Sequence, residues 1–129
     1  MVKREVSEKS IKNTGSANLE SLQAAVEKWI NDHGVRYFNE LTNTSILVEE
    51  VGEFARLAAR EFGEQSYKPG QKPENAKAAI AEELADIIFV TTCLANQLDV
   101  NLTDTLDHRL KERATRDSDR HKNNRKLRS

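Results

Sequence analysis

A single cysteine, Cys93, leaves no pair to close, which excludes a disulfide-stapled secreted scaffold. Five glycines and two prolines in 129 residues are too few to punctuate a many-turned β fold. Aromatics make up only 5% of the chain, which likewise favours helices over a β fold. No uncharged run approaches the ~20 apolar residues a bilayer span requires. The longest, Ile87 to Leu98, is interrupted by Thr91, Thr92, Asn96 and Gln97. The first ten residues are polar and lack the apolar segment of a signal peptide. These absences predict a cytoplasmic α-helical protein with no membrane association.

Charge is plentiful and unevenly placed. The net charge is −1, yet nine basic and three acidic residues lie between His108 and Ser129, giving +6, against −7 for everything before them. An acidic body joined to a basic end suits a phosphorylated ligand, nucleic acid or a solvated counter-charge.

Residues 1–16 carry no apolar periodicity and read as a flexible leader. Residues 17–116 form a helical domain and residues 117–129 a basic tail. Leu19, Leu22, Val26, Trp29 and Ile30 recur at helical spacing behind Asn18, with Gly34 as a stop. Thr44 or Ser45 is the expected cap of a second helix, from Ile46 to about Phe62 or Glu64. Gly63, Pro69, Gly70 and Pro73 mark a loop. A third helix is expected from about Glu74 to Leu98. A fourth begins after Asn101 or Thr103, carries Leu106 and Leu110, then becomes polar and basic and frays from about Asp117.

The second and third helices carry acids in apolar company. At about 100° per residue, Leu47, Val51, Phe54, Ala58 and Phe62 make one stripe. Glu50 and Glu53 lie beside it on an arc shared with Ile46 and Leu57, while Glu49 points further round. In the third helix Glu83 shares its face with Ile80, Ile87 and Val90, and Asp86 lies on the side of Cys93. A hairpin of the two helices brings Glu50, Glu53, Glu83 and Asp86 to matching height. Carboxylates so placed must be paired, protonated or metal-bound, and no Lys or Arg of these helices shares the face. An all-oxygen set without Cys or His suits Mg²⁺ better than Zn²⁺, with Mn²⁺ as a substitute. The competing explanation is that Glu49, Glu50 and Glu53 are first-turn acids favoured by the helix dipole.

The spacing E-E-x-x-E (Glu49, Glu50, Glu53), a loop, then E-x-x-D (Glu83, Asp86) resembles the MazG-like all-α nucleoside triphosphate pyrophosphohydrolases. The stretch from Trp29 to Asn43, the run E-E-L-A-D-I-I-F-V and the closing Arg113–Asn124 motif resemble the bacterial single-domain branch. The resemblance implies a four-helix MazG-like bundle built on a helical hairpin and completed by oligomerisation, as a homodimer or dimer-based tetramer. It implies Mg²⁺-dependent cleavage of a nucleoside triphosphate between the α and β phosphates, in nucleotide-pool house-cleaning. Glu50, Glu53, Glu83 and Asp86 are then the metal ligands. Glu49, with Glu50 and Glu53, forms the catalytic motif, Glu49 orienting or deprotonating the attacking water. Trp29 would stack on the base. Arg113 and Arg116, with Arg109 and Lys111, would hold phosphates, for which the guanidinium fork is suited. Some relatives carry an Asn seven residues after the motif's Asp; this chain has Cys93 there.

Two other functions fit parts of the sequence. A non-enzymatic module could bind nucleic acid through its basic tail, but the tail lacks interleaved aromatics and the −7 body repels a phosphate backbone. A specialist for phosphoribosyl-ATP or dUTP would carry the same acids, which meet phosphate and metal rather than base. A di-iron carboxylate bundle requires Glu-x-x-His pairs, and the sequence has none.

Overall fold

The structure, a computed structural model, describes residues 18–128. The leader expected over residues 1–16 lies outside them. Four α-helices follow in order: α1 Leu19–His33, α2 Glu40–Glu61, α3 Ala76–Gln97 and α4 Leu102–Lys122, with a final 3₁₀ turn at Arg125–Leu127. No helix among the described residues is long and apolar enough to cross a membrane.

Asparagine starts every one of these elements. The side chains of Asn18, Asn39, Asn75 and Asn101 accept from the backbone N–H of Ser21, Thr42, Ala78 and Asp104, at 2.7 to 3.1 Å. Each satisfies one N–H that has no partner inside its helix. Asn18 and Gly34 bound α1 as its sequence indicates. The start of α2 differs: the helix begins six residues before Ile46, on Asn39. Thr44 and Ser45 are not caps but interior residues whose hydroxyls donate back to the carbonyls of Glu40 and Leu41. Glu49, Glu50 and Glu53 therefore sit mid-helix, beyond the first turn to which a dipole argument applies.

Helix α2 runs antiparallel to α3. Asn43 meets Gln97 near one end of the pair, and Glu50 meets Glu83 and Asp86 further along. Helix α1 lies antiparallel on another side of α3, with Gln23 on Asn96 and Trp29 on Phe89. The core is the seam along α3, where Val90, Thr92, Cys93 and Ala95 are buried with Val26 of α1 and Leu57 of α2. The arc of α2 that carries the acids faces this seam. The apolar stripe beside it is partly outside, since Val51 is exposed and Phe62 is 82% exposed.

Helix α4 packs against α1, contributes no buried residue, and leaves Leu106 and Leu110 exposed rather than in a core. It continues to Lys122 instead of fraying at Asp117, where Arg116 and Arg120 both pair with that carboxylate at 2.9 Å. Gln23 ties three elements together. Its amide nitrogen donates to Asn96 Oδ1 and to the Val100 carbonyl, and its Oε1 accepts from the Leu102 N–H at 2.9 Å, the opening of α4.

Helix α3 ends with Val100 N–H bonded to the Ala95 carbonyl at 2.8 Å and Asp99 in the left-handed region at φ 55°. This closing turn normally favours glycine. Asp99→Gly is expected to stabilise the fold by about 0.5–1 kcal/mol by removing the Cβ penalty. Urea unfolding would read this as a higher midpoint at unchanged slope. A lower midpoint would show that the aspartate side chain matters more than its backbone strain.

Candidate functional site

Glu50 of α2 faces Glu83 and Asp86 of α3, each offering a carboxylate oxygen, and these oxygens lie within 4.8 Å of one another. Glu50 and Glu83 are half-buried and Asp86 is exposed at the rim. The placement follows from the antiparallel seam: Ile46 and Leu57 on one helix and Ile87 and Val90 on the other draw the intervening acids inward. Glu50 Oε2 and Glu83 Oε2 are buried with no hydrogen-bond partner. Among the described residues no lysine or arginine forms an ion pair with Glu50, Glu53, Glu83 or Asp86.

The energetic consequence appears in proton affinity. Burial, with the Glu53 and Glu50 carboxylates beside it, pushes Glu83 up to about 7. Glu50 is raised as well, first by burial and then by the charges of Glu53 and Asp86. Carboxylates that resist ionising together, with two buried oxygens unmatched, form a site whose charge a cation would balance. The donor set is all oxygen and partly open to solvent, which fits a hard divalent ion that keeps some of its waters. Glu50, Glu83 and Asp86 meet at this point, and Glu53 borders it from the exposed side. Glu49 is exposed and stands apart from the three.

A cavity of about 750 Å³ opens directly beside the acids, with Glu50 and Asp86 among its lining. Its other walls are Trp29, Ile30 and His33 of α1, the connecting segment 34–38, Asn43 and Ile46 of α2, and Phe89, Val90 and Cys93 of α3. Trp29 is half exposed and meets Phe89 edge-on at 5.6 Å between ring centroids. It forms part of the cavity wall rather than the helical core. Cys93 is buried, and burial pushes its thiol up to about 11, so it is an apolar surface rather than a nucleophile.

Tyr37 and Phe38, aromatics whose place in the sequence fits either base stacking or core, line the cavity together with Gly34, Val35 and Arg36. A set of side-chain amides holds this segment in place. Asn96 Nδ2 donates to Tyr37 Oη at 3.0 Å, and both Asn43 Nδ2 and Gln97 Nε2 donate to the Phe38 carbonyl. Burial raises the Tyr37 phenol, which stays neutral within this network.

The basic residues expected at phosphates do not line the cavity. Arg109 pairs with Glu112 at 2.9 Å, Lys111 with Asp107 at 3.0 Å, and Arg116 with Asp117; Arg113 is exposed. All four stand on α4, which adjoins α1 and supplies no cavity residue.

Residues 38–122 match the model of the MazG nucleotide pyrophosphohydrolase domain. The YpjD protein of Bacillus subtilis is 37% identical over 102 residues, covering 79% of this chain and 88% of its own. Its crystal structure superposes with a TM-score of 0.64 at 33% identity, covering 78% of this chain and 96% of that one. The crystal structure of the Bacillus-conserved MazG protein, a nucleotide pyrophosphohydrolase, gives a TM-score of 0.63 at 30% identity, covering 79% and 95% respectively.

Proposed function

Because the chain belongs to the MazG nucleotide pyrophosphohydrolase family, we propose that it hydrolyses a nucleoside triphosphate between the α and β phosphates, yielding a monophosphate and pyrophosphate. The observation that carries this reading is the pair of buried, unbonded oxygens Glu50 Oε2 and Glu83 Oε2. Together with Asp86 and Glu53 they are the proposed ligands of Mg²⁺, or of Mn²⁺ in its place. Bound there, the ion supplies neutralisation of phosphate charge and polarises the phosphorus under attack.

The chain's own groups do the rest. Glu49, on the solvent side of Glu50, takes the proton of the attacking water. The water oxygen forms its bond to the α phosphorus as the bond from that phosphorus to the bridging oxygen breaks. Pyrophosphate departs with the electron pair. Trp29 and Phe89 offer faces on which a base can stack, and the half-buried Ile46 helps exclude water between base and acids.

Arg113, Arg116, Arg109 and Lys111 are the proposed phosphate-binding cations, and a second copy of the chain is their proposed route to the site. The motive is exposed apolar surface: Leu41, Val48 and Val51 of α2, and Leu84 and Ile88 of α3, are exposed among the described residues. A homodimer, or a tetramer built from dimers, would cover them and present a neighbour's α4. House-cleaning of the nucleotide pool is the role this activity suits.

Purified protein with Mg²⁺ is expected to release pyrophosphate from at least one triphosphate in a panel of canonical nucleotides, and to stop when the ion is chelated. Release of orthophosphate instead, or turnover unaffected by chelation, would overturn the reading. Light scattering is expected to return a multiple of the 14.6 kDa chain mass.

A further inference from the structure

Asn43 is 5% exposed, carries a full amide, and lines the same cavity as the carboxylates. It stands seven residues before Glu50 on α2. Seven residues are about two turns, so the two side chains share a face, about 10 Å apart along the axis. That separation suits a nucleoside lying along α2 with its 5′-phosphate at the acids and the edge of its base at Asn43.

The amide's orientation is fixed by its neighbours. Asn43 Nδ2 donates to Gln97 Oε1 at 2.8 Å and to the Phe38 carbonyl at 3.3 Å, which uses both of its hydrogens. Gln97 in turn gives its own Nε2 to the same Phe38 carbonyl. A backbone carbonyl cannot exchange donor for acceptor. Turning the Gln97 amide would set oxygen against that carbonyl, and turning the Asn43 amide would set oxygen against two acceptors. The pair is therefore locked with nitrogen inward. No group among the described residues donates to Asn43 Oδ1.

The geometry points to Asn43 as the residue that selects the base, through an Oδ1 that can accept and an Nδ2 with nothing left to give. This inference rests on the triphosphate reading above. A base presenting an exocyclic amino group at that edge, cytosine or adenine, finds an acceptor. Its oxo counterpart, uracil or hypoxanthine, meets oxygen with oxygen and no proton between them. The cavity walls are mainly apolar or ring surface, and Arg36 and His33, polar donors among them, form no hydrogen bond with Asn43, Arg36 donating instead to the Tyr37 carbonyl. A buried acceptor left facing an acceptor is rejected more strongly than a missing methyl group.

The test compares kcat/KM for CTP against UTP and for ATP against ITP, pairs that differ by one amino-to-oxo exchange. The amino member of at least one pair is expected to be favoured by about tenfold or more. A second arm uses Gln97→Met, a change outside the cavity lining that frees one Nδ2 hydrogen and unlocks the amide. It is expected to bring the ratio to within about threefold of unity, chiefly through KM of the oxo substrate. Equal turnover of both members by the native protein overturns the role of Asn43 while leaving the pyrophosphohydrolase standing. A native preference that Gln97→Met leaves unchanged overturns the locking argument. Absence of pyrophosphate release from these four overturns this assignment, and absence across the whole canonical panel overturns the underlying reading with it.

Discussion

Glu83→Gln is expected to lower pyrophosphate release by at least about 100-fold, a loss larger than that usual for residues merely supporting metal ligands. The same change is expected to make the metal-free protein more stable. Glu83 sits where Glu50 and Glu53 oppose its charge and where burial opposes it further. A neutral amide of the same shape removes that repulsion while keeping the packing of α2 on α3. Opposite signs on activity and stability are characteristic of a group retained for function. Thermal unfolding without divalent ions, alongside a pyrophosphate assay, checks both. A variant that is less stable and still active would mean that the cluster is structural. Glu50→Gln, acting on the other unbonded oxygen, is expected to behave in the same way.

The stability of the metal-free protein is expected to fall as pH rises from about 4.5 to about 7. Glu83 takes up its proton more readily folded than unfolded, with its folded value raised to about 7. In that window the folded chain holds more protons than the unfolded chain, so raising pH favours unfolding. The contribution is complete below the ordinary carboxylate range and is lost as pH passes through about 7. Glu50 is shifted in the same direction and adds to the slope. Mg²⁺ is expected to oppose the trend, because it binds the ionised carboxylates. At a hundredfold excess over its dissociation constant the ion stabilises by about 2.7 kcal/mol. That gain is expected at pH 8 and is expected to shrink strongly at pH 5, where protons compete for the same oxygens. Melting curves at the two pH values, with and without Mg²⁺, decide it. An equal Mg²⁺ response at both would place the ion elsewhere.

The helices and the acids could be read from the chain because both are local patterns. Asn18 with Gly34, and Asn101 before Leu102, are cap signals within a few residues of what they bound. The four carboxylates stand out because each interrupts an apolar neighbourhood on its own helix, and helical rise is regular enough to match heights across a hairpin. The start of α2 was obscured because Thr44 and Ser45 are good caps in isolation. Their hydroxyls instead return to carbonyls one turn back, and Asn39, hidden in a mixed aromatic and polar stretch, does the capping.

How the cavity is assembled was unreadable for a different reason. Trp29, Tyr37, Phe38, Asn43 and Phe89 have no common period and meet only through tertiary packing. The amides that lock segment 34–38 bond across more than fifty residues of chain. Leu106 and Leu110 follow the spacing of core residues, yet both are exposed among the described residues. Periodicity identifies a face that wants burial, and it is silent on whether the same molecule supplies the cover.

Helix α3 is flanked by α2 on one side and α1 on another. The acids arise from the α2–α3 pair, whereas Trp29 and segment 34–38 arise from the α1 side and its continuation. The acids and the wall formed by Trp29 and segment 34–38 are thus carried by different stretches of polypeptide hung on one shared rod. A lineage could reshape the α1 wall of the cavity without moving the acids. An engineer could graft that stretch alone.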